Sequence, residues 1–131
     1  TSCMFVRMED QTRRFVGITR LMIGLGAWLA PAITVRLFGM DPERSDRFIT
    51  RLFGAREVTM AAAMLAAPAA ALPTVAVVEA AIDAADVVGG LDEVRRRNLG
   101  TRATLLGPVG AVLFVGLNLF IAKSSQDRLA T

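Results

Sequence analysis

The stretch "ATLLGPVGAVLFVGLNLFIA", residues 103–122, is twenty residues without a charge. As a helix it extends about 30 Å, the thickness of the hydrocarbon core of a bilayer. No strand-like alternation or internal repeat competes with that assignment. It predicts a transmembrane helix over about 101–124, with Thr101 as its cap.

The rest of the chain follows the same pattern less purely. Hydrophobic residues make up 53% and charged residues 21%, with a mean hydropathy of +0.48. An average soluble chain holds roughly 45–50% apolar and about 25% charged residues. The 131 residues suit one domain, and a core that small does not readily bury three or four apolar runs. A first helix is predicted over about 11–38. Its apolar centre "LMIGLGAWLAPAITV" lies between Arg20 and Arg36, Pro31 kinks it and Gly39 caps it. A second helix spans about 42–67. Asp41 is its N-cap and Pro42 its first residue, and it turns apolar at Leu52. Pro68 and Pro73 bracket a tight uncharged link. The third helix covers about 74–97, with Gly89–Gly90 as a point of interruption.

The fold class is therefore all-α: an integral membrane four-helix bundle of two transmembrane hairpins, one domain over residues 1–131. Four spans put both termini on one side. The loop side carries eight basic residues (Arg36, Arg44, Arg47, Arg51, Arg95, Arg96, Arg97, Arg102). The terminal side carries five (Arg7, Arg13, Arg14, Lys123, Arg128), so the loops are placed in the cytoplasm.

Composition also excludes. Net charge is only +3, and the cations flank apolar runs instead of lining one face, so nucleic acid is not an expected partner. A single Cys, Cys3, forms no intrachain disulfide. The absence of His removes His-based metal sites and Ser-His triads, and neither a metal nor a cofactor is expected. The opening "TSCMFVRMEDQTRR" lacks the apolar core of a cleaved signal peptide.

The chemistry concentrates in "VVEAAIDAADVVGG", residues 77–90, where Glu79, Asp83 and Asp86 stand at i, i+4 and i+7. They share one stripe of the helix, within an arc of about 60°. Inserting three central acids into a bilayer costs roughly 8–10 kcal/mol if single-residue values are summed. They need partners, protons or water. Arg56 and Glu57 lie about one turn into the apolar part of the second helix, at the depth of Asp86, which predicts an Arg56–Asp86 contact. Arg20 opens the apolar run of the first helix and reaches towards Glu79 from the other face. Two cations thus oppose four acids. Asp83, with no cation at its own depth, is the acid expected to hold a proton.

The candidate catalytic set is Asp83, Asp86, Glu79, Arg56 and Glu57. Arg20, Trp28, Met60 and Asn118 are candidate ligand contacts. Met offers an adaptable apolar wall and Asn118 a hydrogen bond across helices. Gly17, Gly24 and Gly26, with Gly107, Gly110 and Gly116, would let helices approach closely.

The stretch "RLFGARE", residues 51–57, resembles an R-x-x-G-x-R-[D/E] pattern of small four-helix bacterial membrane proteins, and the "AP…RLFG" end of the first helix is similar too. The resemblance covers about half of the chain. It implies a membrane bundle in a bacterial inner membrane, with Arg51, Gly54, Arg56 and Glu57 in a common polar site. It implies no activity.

Three functions fit. One is acid–base catalysis on a lipophilic terpenoid-like or polyketide-like small molecule: isomerisation, cyclisation or epoxide opening. Asp83 is then the acid, Asp86 or Glu79 the base and Arg56 the orienting cation. Another is a small proton-coupled transporter that dimerises to enclose a path. The third is an accessory subunit of a larger membrane complex. The expected partners are the lipid bilayer, a lipophilic ligand, and a second copy or larger assembly.

Overall fold

The computed structural model describes residues 2–131, and these are all-helical. The helices are α1 (Ser2–Leu29), α2 (Pro31–Leu37), α3 (Arg47–Ala66), α4 (Leu72–Arg95) and α5 (Thr101–Ala130), with a single 3-10 turn at Pro42–Arg44.

The first helix begins at Ser2 instead of near residue 11. No Gly or Pro precedes Gly17, and the segment holds the helix formers Met4, Arg7, Met8, Glu9, Arg13 and Arg14, so nothing stops helix growth towards the N-terminus. At Pro31 the chain breaks outright. Ala30 sits at φ −137° and ψ 64°, because a residue before proline avoids helical backbone, and Pro31 takes the first position of α2. Gly39, at φ 82°, closes α2 with paired bonds from Gly39 N to Arg36 O (2.9 Å) and from Met40 N to Val35 O (3.0 Å).

Asp41 caps only the 3-10 turn, accepting from Glu43 N. The cap of α3 is Asp46, which accepts from Phe48 N (2.8 Å) and Ile49 N (3.1 Å), so the helix starts five residues later than the sequence reading placed it. Extended backbone at Ser45 separates the two caps. α4 passes through Gly89–Gly90 unbroken and ends in the same paired-bond motif as α2. Here Arg97, at φ 60°, occupies the left-handed position usually given to glycine. Pro108 lies inside α5. It has no N–H to donate, and the backbone widens into a π turn over Leu105–Val109 around it.

α1 packs along α3 and α4 along α5. The two pairs meet mainly through α1 and α5, whereas α3 and α4 barely touch. The α1–α3 crossing rests on Gly24 and Gly54. A Cβ on Gly54 would lie 2.7 Å from the Gly24 carbonyl oxygen, and one on Gly24 would lie 2.8 Å from that of Gly54. The other glycines divide. Gly17 faces the Leu65 side chain and Gly26 faces Thr34, whereas Gly107 and Gly116 adjoin open space and do not serve close packing.

The bundle has a closed end and an open end. At the closed end Val16, Met64, Leu72, Ala76, Ile121 and Ala122 form the core. Arg13 donates to the free carbonyls that finish α3, at 2.7 Å to Met64 O and 2.6 Å to Ala67 O. Glu9, buried, takes Arg128 at 2.5 Å and Ser124 Oγ at 2.9 Å, tying α1 to α5. At the other end the helices part around a cavity.

The surface area is 8245 Å², against about 6,700 Å² for a compact folded chain of this mass. Much of the excess is apolar. On α1 the outward stripe Phe15, Ile18, Met22, Leu25 and Leu29 is exposed, and α5 exposes Leu106, Val109, Val112, Leu113 and Leu119. Among the described residues only α5 is long and apolar enough to cross a membrane by length and composition.

Candidate functional site

The open-end cavity holds about 790 Å³, within the usual range of small-molecule sites. Every helix contributes to its wall. Ile23 and Ala27 come from α1, Val35 from α2 and Phe38 from just after it, Ile49 and Phe53 from α3, Gly90 from α4, and Leu106, Pro108 and Phe114 from α5. The wall is mostly apolar. Its charges, Asp46 at the start of α3 apart, gather on Arg20, Arg56, Glu57, Asp83 and Asp86.

Arg20 organises the cluster. It is 1% exposed, and its guanidinium meets Glu57 at 3.1 Å from α3, Glu79 at 3.1 Å from α4, and Asp83. This corrects the expectation that Asp83 has no cation at its depth. Within α1 (Ser2–Leu29) Arg20 is level with the acids of α4, not at the edge of the array of charges as its place before the apolar run suggested. Asn118 of α5 also donates to Asp83, at 3.0 Å. Arg20 and Asn118 both donate to Asp83 Oδ2, and Asp83 lines the cavity wall.

Glu79 is placed differently. It is 2% exposed and near Arg20 Nε, but the N–H is not aimed at it, so neither carboxyl oxygen accepts a hydrogen bond among the described residues. Asn118 Oδ1 also lacks a donor. Glu79 and Asn118 lie behind the cavity wall, not on it.

Arg56 and Asp86 form a two-point pair at 2.7 and 3.2 Å, and Arg56 also approaches Glu57 at 3.5 Å. The pair bridges α3 and α4 where those helices otherwise scarcely meet. Both side chains are over a third exposed, at 37% and 36%. The predicted contact is therefore present but half-exposed, and its coupling is about 0.5–1 kcal/mol instead of the roughly 3–5 kcal/mol that breaking a fully buried pair costs. A double-mutant cycle of Arg56→Leu and Asp86→Leu, read as unfolding midpoints in detergent, should return a coupling of that size. Strict additivity would mean the two side chains do not interact.

Trp28 and Met60 lie off the cavity wall. Trp28 is 42% exposed, with the Arg51 guanidinium 4.5 Å over its ring, and Met60 is buried between helices. In "RLFGARE", then, Arg51 stacks on α1, Gly54 makes the helix crossing, and Arg56 and Glu57 join the charged cluster. The cross-helix bond expected of Asn118 finds its acceptor in Asp83, whereas the pairing of Glu9 with Arg128 escapes sequence reasoning, since both lie outside the apolar runs from which depth was counted. Outside the helices' packed parts, Arg95 and Arg96 hold the Asp92 carboxyl below its usual range. No family model matches the chain, and no curated protein or solved structure is similar to it.

Proposed function

We propose that the protein is a small integral membrane protein, a four-helix bundle of two hairpins, whose cavity holds a lipophilic small molecule against an acid–base cluster. The observation that carries this is the inverted distribution of polarity. The interior buries Glu9, Arg20, Glu57, Glu79, Asp83, Asn118 and Ser125, while the outer faces of the long helices are apolar. Charges inside and leucines outside suit a hydrocarbon solvent. Single cysteines placed at Asp10 and Gln126, in a Cys3→Ser background, should label from the same membrane face. Labelling from opposite faces would overturn the two-hairpin topology.

Apolar walls ending on paired carboxylates and guanidinium groups fit proton transfer to and from a bound terpenoid-like or polyketide-like molecule, in isomerisation, cyclisation or epoxide opening. Asp86, on the cavity wall and held by Arg56, is the side chain best placed to act as base, with Arg56 orienting a polar substrate group. A second reading, proton-coupled transport, draws on Glu79. Behind the wall, that carboxyl is positioned to hold a proton without touching a ligand.

Gly107 lines the cavity, and a Cβ there meets no atom within 4 Å. Gly107→Trp should therefore fill the cavity without disturbing the fold. Detergent-solubilised wild type should bind a radiolabelled C15 isoprenoid alcohol saturably in equilibrium dialysis, and the variant at least tenfold more weakly. Equal, unsaturable uptake by both would show only partition into detergent and would sink the pocket reading.

A further inference from the structure

Four long helices enclose the cavity, and the seams between them are unequal. α1 and α3 meet at Gly24 and Gly54, where a Cβ on either glycine would strike the backbone of the other helix. α1 and α5 meet where the Phe114 ring lies 4.9 Å from the Arg20 guanidinium. α4 and α5 meet at Gly90 and Pro108, both on the cavity wall, and a Cβ on Gly90 would come within 2.7 Å of the proline ring. The end of the bundle is tied too. Gly39, just after α2, packs against Arg102 and Ala103 of α5, and Arg102 donates to Arg36 O at 3.1 Å. The fourth seam, α3 against α4, is the loose one. Among the described residues the hydrogen bonds across it are those of Arg56 to Asp86, at 2.7 and 3.2 Å.

A side chain that meets both the cavity and the outside marks the mouth of the cavity. Ile49 and Leu52 of α3 line it and are exposed, and Arg56 and Asp86 line it and are half-exposed. The surface around them is apolar, with Phe48 exposed on α3 and Val88 and Leu91 on α4. A hydrocarbon molecule dissolved in lipid reaches that mouth without passing through water. We infer that the ligand enters sideways from the bilayer, between α3 and α4, and that the Arg56–Asp86 pair is the bar across this entrance. The inference rests on the membrane and pocket readings above and adds the route to the site. Such a bar has to hold and yet part. A two-point pair fixes the spacing of the helices it joins, while its exposure keeps the coupling small. Arg20, buried and tied to three carboxylates, is the fixed floor behind it. The link between Ala66 and Leu72 joins α3 to α4 at the closed end, so the seam opens as a swing about that joint.

The test locks the bar. In a Cys3→Ser background, Arg56→Cys with Asp86→Cys is bridged by a short bis-methanethiosulfonate, which a reductant later cleaves. Bridged and cleaved samples of the same protein are compared, so the loss of the ion pair is common to both. The protein in lipid vesicles is loaded with the radiolabelled C15 isoprenoid alcohol before bridging and chased with unlabelled alcohol. Exchange should be about tenfold slower in the bridged sample and should recover on cleavage. Loading started by cleaving the bridge, in vesicles that already hold the alcohol, should keep its rate when the vesicles are diluted in buffer. Leu52→Trp narrows the same entrance from an exposed position and leaves the pair intact; it should slow exchange about threefold and decides the matter where the double variant fails to fold. Equal exchange by bridged and cleaved protein, or by Leu52→Trp and wild type where that variant decides, overturns the entrance and leaves the pocket reading standing. A loading rate that falls on dilution means entry from water and overturns it too. Absence of saturable binding by the wild type overturns the pocket reading, and the entrance with it.

Discussion

Arg20→Met should cost about 3–5 kcal/mol of stability, the usual penalty for leaving a buried charge network without its counter-charge. The size follows from the number of partners. One guanidinium, 1% exposed, serves Glu57, Glu79 and Asp83, and its removal strands all three. In a fold stabilised by only about 5–15 kcal/mol this is a large share. Arg20→Lys should recover little, because a compact ammonium lacks the planar fork that reaches carboxylates on two helices. The combined variant Arg20→Met, Glu57→Gln, Glu79→Gln, Asp83→Asn removes the charges with their partner and should regain most of the loss. Unfolding midpoints in a denaturing-detergent titration decide it. If the four substitutions simply add, Arg20 is not the hub of this network.

Gly54→Leu should lose about 3 kcal/mol, the upper part of the range for overpacking a tight contact. The clash is with backbone: a Cβ at Gly54 meets the Gly24 oxygen at 2.7 Å and Trp28 N at 2.9 Å. No rotamer change relieves it, so α1 and α3 must separate. The contrast is Gly89, where a Cβ meets nothing within 4 Å. Gly89→Ala should add about 0.5–1 kcal/mol by removing backbone freedom from a helix interior. Equal effects of the two substitutions in the same titration would show that the α1–α3 crossing is not glycine-dependent.

The residues visible in the sequence were those whose relations run along one helix or can be counted as depth. The stripe Glu79–Asp83–Asp86 follows from helical spacing alone, and the Arg56–Asp86 and Arg20–Glu79 contacts follow from counting 1.5 Å per residue from each end. Depth counting fails where the origin is misplaced. With the apolar run counted from Leu21, Arg20 sits at its edge; in the folded bundle it lies level with the acids of α4 and reaches Asp83. Rotation about the axis is the other hidden variable. Trp28 has the depth of a wall residue but points outward, and Gly107 and Gly116 have the composition of packing glycines but adjoin open space. Rotation also explains why hydropathy singles out α5 alone. A window average counts the charges of α1, α3 and α4 but not that Arg20, Glu57, Glu79 and Asp83 turn inward.

The cluster around Arg20 also fixes an order of events during synthesis. Its first partner, Glu57, is made 37 residues after it, and Asp83 follows 63 residues after. Until α4 has emerged, the nascent α1–α3 hairpin carries a guanidinium with one carboxylate to meet it and a side chain, Glu57, still shared with Arg56. The cluster is therefore complete only once the trailing hairpin has been made and has packed against the leading one.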